Sequence, residues 1–168
     1  MAQSISKEKE PQAGNSGPRI QLVVFRLGEE EYALSIDQIK EVVLTPNVAR
    51  IPQTPDHIKG VANIRGNVLA ILDLEKKFGI KSTDESLPKY TLVLESQEAS
   101  VGILVRKVPN TLSIGEHDID TASSVVLSSE AEEQAIRGIV KSGERMIILI
   151  DALAMLSRRE TQEVAKSL

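Results

Sequence analysis

Residues 60 to 78, GVANIRGNVLAILDLEKKF, align without gaps on residues 138 to 156, GIVKSGERMIILIDALAML. Identities are few, but the pattern holds: Gly60 falls on Gly138, the apolar run Val68 to Leu72 on Met146 to Ile150, and Asp73 on Asp151. Each copy reads as strand, tight turn, strand and capped helix. Gly66 and Asn67 both tolerate positive φ and are expected to reverse the chain. Val68 to Leu72 is an unbroken apolar run, as in a strand covered on both faces. Asp73 stands where a helix N-cap belongs, before Leu74 to Phe78, and Gly79 ends the turn.

A second correspondence places Gln21 to Ile39 on Tyr90 to Val108. Gln21–Leu27 and Glu31–Ile36 read as a hairpin about Gly28. Asp37 is expected to cap a helical turn through Lys40, with strand character resuming from Glu41 to Leu44. Pro46, Pro52 and Pro55 make 45–56 a loop. Residues 79–89 read as a linker, Tyr90–Glu95 and Ser100–Val105 as a second hairpin, and 115–135 as a long acidic loop. Ile136–Lys141 and Arg145–Ile150 form a third hairpin, and a C-terminal helix is expected over 151–166. Units of about five short strands are too small for open sheets with solvated edges, so the repeat predicts two related β-barrels side by side, roughly 20–80 and 88–150. Residues 1–18 are polar and read as a disordered tail, without the apolar core of a signal peptide.

Composition excludes several functions. The net charge is −4 with both signs interspersed, leaving no basic field for nucleic acid or an anionic membrane. No cysteine is present, which removes disulfides, thiol nucleophiles and thiolate metal sites together. Phe25, Tyr32, Phe78 and Tyr90 are the entire aromatic complement, too few for a stacking platform. No apolar run is long enough to span a bilayer, and a cytoplasmic protein is expected.

Catalytic and metal chemistry find no foothold. His57 and His117 are the only histidines and neither has a second ligand at metal spacing. Phosphate-cradle and nucleophile-elbow patterns are absent. Asp73 and Asp151 are explained as caps. Arg65 stands out, charged at the turn end of an apolar neighbourhood, with Glu41 at the start of another strand. The two read either as an ordinary surface pair, contributing roughly 0.2–1 kcal/mol, or as part of a binding surface.

The segments IDQIKEVV (36–43), RIPQTPDHIKGVANIRGNVLAILDL (50–74), IRGIV and MIILIDALAML resemble the CheW family of bacterial chemotaxis coupling proteins. The proline-bounded loop, IKGVANIRG and the apolar strand ending in Asp-Leu are the most specific part. The resemblance spans 20–156 and leaves 1–18 and the segment from 157 to 168, a helix or tail, outside it. It implies two five-stranded SH3-like barrels about a shared hydrophobic core, without catalysis, cofactor or metal. It further implies bridging between the cytoplasmic tips of methyl-accepting chemoreceptors and the histidine kinase CheA, in arrays at the inner face of the membrane. Ile39, Glu41, Arg65 and Gly66 would form the receptor contact, while the kinase-binding face is not assigned. The competing expectation is a small β-barrel enzyme or ligand carrier using a groove between the barrels.

Overall fold

The computed structural model describes residues 17–81, 89–96, 100–121 and 135–155. The expected tail over 1–16, most of the linker, the acidic stretch beyond 121 and the helix beyond 155 lie outside the described residues. Within them run β1 (Arg19–Leu27), β2 (Glu30–Ser35), β3 (Ile39–Leu44), β4 (Ile58–Ile64), β5 (Asn67–Leu72) and α1 (Leu74–Lys77). They are followed by β6 (Tyr90–Leu94), β7 (Val101–Val105), β8 (Asn110–Gly115), β9 (Ile119–Asp120), β10 (Ile136–Ser142), β11 (Arg145–Ile150) and α2 (Ala152–Met155).

The architecture is mainly β, with one five-stranded sheet ordered β3-β6-β7-β5-β4 and one six-stranded sheet ordered β8-β1-β2-β11-β10-β9. The two orders are the same pattern. The hairpins β4–β5 and β10–β11 share even their irregularity, a register shift between Ile58 and Gly60 in one and between Ile136 and Gly138 in the other. Both helices are capped alike: Asp73 Oδ1 accepts from the Lys76 amide at 3.3 Å and Asp151 Oδ1 from the Ala154 amide at 3.1 Å. The repeat in the sequence is therefore a repeat in the fold.

Two expectations are corrected. The sheets hold six and five strands rather than five each, because β9 adds two residues beside β10; its counterpart is a single bridge between Ala49 and Val61. The units also do not divide the chain into 20–80 and 88–150. β1 and β2 join the sheet of β8–β11, whereas Asp37–Val108, with the turn Arg26–Glu29, form the other compact unit. The sequence correspondence locates equivalent strands without saying which copies pair, and β1 finds its partner in β8, Leu22 opposite Leu112.

Both sheets are strongly curled. In the six-stranded sheet β8 and β9 are opposite edges, yet only the 3-10 turn Glu116–Asp118 joins them. A flat sheet of that size would be about 24 Å wide at about 4.8 Å per strand gap, and so short a link reaches about 14 Å at most. In the five-stranded sheet, Ala49 follows closely after β3 and exchanges backbone hydrogen bonds with Val61 of β4, the far edge, both 2.8 Å. Each unit fills its own concave side with apolar side chains: Leu22, Val24, Leu112, Val140 and Ile147 in one, Ile64, Leu69, Ile71, Val93 and Leu104 in the other.

Gly60 marks the seam. Its φ is 149°, and a Cβ there would stand 2.2 Å from the Ala49 carbonyl oxygen. At the aligned Gly138 the nearest atom is a side-chain methyl of Ile119, at 2.7 Å. Because a methyl shifts more readily than a paired backbone, Gly60→Ala is expected to cost about 1–3 kcal/mol and Gly138→Ala less. Urea unfolding of the two variants checks the order.

Candidate functional site

The site residues gather at one end of the five-stranded sheet. The β4–β5 turn is a two-residue reversal in which Arg65 and Gly66 take φ of 54° and 87°, while Ile64 pairs with Asn67. Asn67 is thus the first residue of β5 and not part of the reversal, which moves the expected turn back by one residue. Positive φ at both central residues matches the right-handed twist of the flanking strands. The aligned turn solves the problem differently, with Gly143 at φ 64° in the first central position. Arginine at Arg65 therefore occupies a conformation that its own repeat gives to glycine. Asn63 stabilises the corner by accepting the Gly66 amide on Oδ1 at 2.9 Å.

Arg65 Nε donates to Glu41 Oε1 at 2.7 Å. Glu41 lies on β3 opposite Val93 of β6, so the pair does not link adjacent strands as a cross-strand pair would. It joins β3 to the turn of β4–β5 across the two edges of the curled sheet. The Arg65 side chain is 71% exposed and that of Glu41 25%, which places the cation outward over its anchor. Ile39 is half-buried two residues before Glu41, and a register shift between them pairs Ile39 with Leu94 and Glu41 with Val93 of β6. At Gly66 a Cβ would meet nothing within 4 Å, so the glycine serves the turn's φ and leaves the corner open on its outer side.

Sequence reasoning passed over an apolar strip. β3 alternates, and its outward positions carry Val42 at 41% and Leu44 at 64% exposure. Val68, expected inside a covered run, is 45% exposed, and burial in β5 begins at Leu69. The alternation in IKEVVL was the available signal for Val42 and Leu44. Beside the ion pair, Lys40, Glu41, Ile64, Asn67, Leu69 and Glu95 line a groove of about 190 Å³.

At the aligned corner of the six-stranded unit Gly143 stands in place of Arg65, and among the described residues this pair has no counterpart there. Two positions beyond the aligned Gly143, Arg145 makes a bidentate contact with Glu31 at 3.0 and 2.9 Å. That hydrogen bond raises the pKa of the Arg145 guanidinium above its ordinary value, against the smaller opposing effect of burial. Among the described residues no group of three or more His, Cys, Asp or Glu is placed to hold a metal ion. No helix among them is long and apolar enough to cross a membrane.

Comparison with known proteins supplies the remaining evidence. The family model for the CheW-like domain matches residues 21–160. The chain is 35% identical over 150 residues to the chemotaxis protein CheW of Klebsiella aerogenes, covering 88% of this chain and 89% of that one. It is 30% identical over 151 residues to the chemotaxis protein CheW of Treponema pallidum, covering 88% of each. The crystal structure of the scaffolding protein TtCheW from Thermoanaerobacter tengcongensis superposes with a TM-score of 0.74 at 28% identity, covering 90% of this chain and 96% of that one. With the doubled, curled sheets and a match running through nearly every described strand, the chain belongs to the CheW family of non-enzymatic chemotaxis adaptor proteins.

Proposed function

We propose that this adaptor couples the cytoplasmic tips of chemoreceptors to the histidine kinase CheA, and that Ile39, Glu41, Arg65 and Gly66 form its receptor contact. The observation that carries the assignment is the Arg65 corner. A mostly exposed guanidinium is held at 2.7 Å by Glu41 on a backbone conformation unfavourable to arginine. A strained, outward, oriented cation whose anchor shares β3 with exposed Val42 and Leu44 suits the docking of an amphipathic helix, with apolar side chains on that strand and an acidic group or carbonyl at the arginine.

Two finer features belong to the same proposal. Each curled sheet closes on itself as an SH3-like barrel, a reading supported by the Ala49–Val61 seam and by the short β8–β9 link. The adaptor works in the cytoplasm, within receptor arrays. Pull-downs with a receptor cytoplasmic fragment and with the regulatory domain of CheA test the coupling role. Retention of both is expected, and retention of neither would sink it.

A further inference from the structure

The five-stranded unit buries three ionised side chains that docking does not use. Arg106, just past β7, is 5% exposed, while Asp73 and Glu75 are 1% and 3%. Arg106 Nη1 lies 3.1 Å from Glu75 Oε1, and Nη2 lies 3.8 Å from Asp73 Oδ2. The other oxygen of Glu75, Oε2, accepts the backbone amide of Gly28 at 2.8 Å. Gly28 sits in the β1–β2 turn, whose residues Arg26–Glu29 belong to this same unit. The turn is braced further. Arg26 donates to the Glu29 carbonyl at 2.9 Å, and a Cβ on Gly28 would come within 2.6 Å of Ile80, whose own amide donates to the Glu75 carbonyl at 2.7 Å.

The aligned unit builds the same strands and the same cap without this cluster. There Asp151 meets an arginine that is 59% exposed, Arg137, at 3.2 Å, and Leu153 stands in sequence where Glu75 does. The fold pattern therefore does not require the buried ions, and burying them carries a desolvation cost. What they add is a directed, charge-assisted bond to one turn amide. We propose that Glu75 is a conformational latch: shared between Arg106 and the Gly28 amide, its carboxylate locks the β1–β2 turn against α1, and its removal releases the turn while the five-stranded sheet stays folded.

Amide hydrogen exchange on the full chain tests the latch. In the wild type, the Gly28 amide should be protected to a degree comparable with the Phe78 amide, which donates to the Leu74 carbonyl in α1. In Glu75→Leu, Gly28 exchange should rise on the order of tenfold or more, with the strand amides of β6 and β7 unchanged. Asp73→Asn retains a capping side chain and leaves Glu75 with Arg106, so Gly28 should stay protected. An unprotected Gly28 in the wild type would overturn the proposal. So would a Glu75→Leu variant that unfolds, that leaves Gly28 unchanged, or that speeds every amide by one common factor.

Discussion

Replacing Arg106 with leucine should cost the chain about 3–5 kcal/mol, the largest stability loss expected of any single charge removal among the described residues. The guanidinium lies within ion-pair distance of both Asp73 and Glu75, and all three side chains are almost fully buried. Its loss leaves two carboxylates away from water. Asp73 would keep the Lys76 amide and Glu75 the Gly28 amide, but the guanidinium charge opposing both carboxylates would be gone. Against a total stability of about 5–15 kcal/mol for an ordinary domain, this is a large fraction. Arg137→Leu is the matched control, since its pair with Asp151 is largely solvated and should contribute under about 1 kcal/mol. Urea unfolding with a common m-value compares the two. Adding Asp73→Asn and Glu75→Leu to Arg106→Leu should recover most of the loss, because a buried ion cluster is costly chiefly when it is broken. A loss below about 1 kcal/mol for Arg106→Leu alone would mean that the carboxylates are hydrated after all.

That contrast shows where the sequence stops being informative. Asp73 and Asp151 look interchangeable in the chain, and as helix caps they are: each side chain accepts an amide three residues on, and each backbone amide donates at 2.7 Å to a carbonyl at an aligned position, His57 or Ala135. Capping is local, and local chemistry is what a sequence displays. The charge environments differ because Arg106 arrives from β7, at the end of the apolar run VGILV, and only the fold brings it to α1. β8 was missed for a related reason. Its residues NTLSIG alternate, with Leu112 and Ile114 buried, but the run is short and its long antiparallel partner, β1, lies far away in the sequence. The partition into units was hidden as well, since a repeat reveals equivalent hairpins but pairing is decided across the whole chain. The turn at Arg65, the caps and the β10–β11 hairpin were readable because neighbours in sequence fix them. The Glu41–Arg65 pair was readable as a candidate from the residues, but its place across the two edges of the curled sheet was not, because strand order is decided across the whole chain.

Arg65→Glu should reduce receptor-dependent kinase activation on the order of tenfold or more, equivalent to about 1.4 kcal/mol in coupling, while moving the unfolding midpoint little. Reversal removes the outward cation and sets a carboxylate against Glu41, in a place exposed enough that the folding cost stays under about 1 kcal/mol. Two further variants separate recognition from architecture. Arg65→Asn installs a residue that accepts φ near 54° more readily, so relief of backbone strain should offset the lost ion pair and leave stability within about 1 kcal/mol of wild type. Coupling should nevertheless fall, because the cation is gone. The double exchange Glu41→Arg with Arg65→Glu can rebuild an ion pair across the edges of the sheet but presents the receptor with inverted charges. If the pair only staples the sheet, the exchange restores coupling along with stability. If the receptor reads Arg65 itself, stability returns and coupling does not, and that is the result expected from a guanidinium 71% exposed above an anchor that is mostly covered.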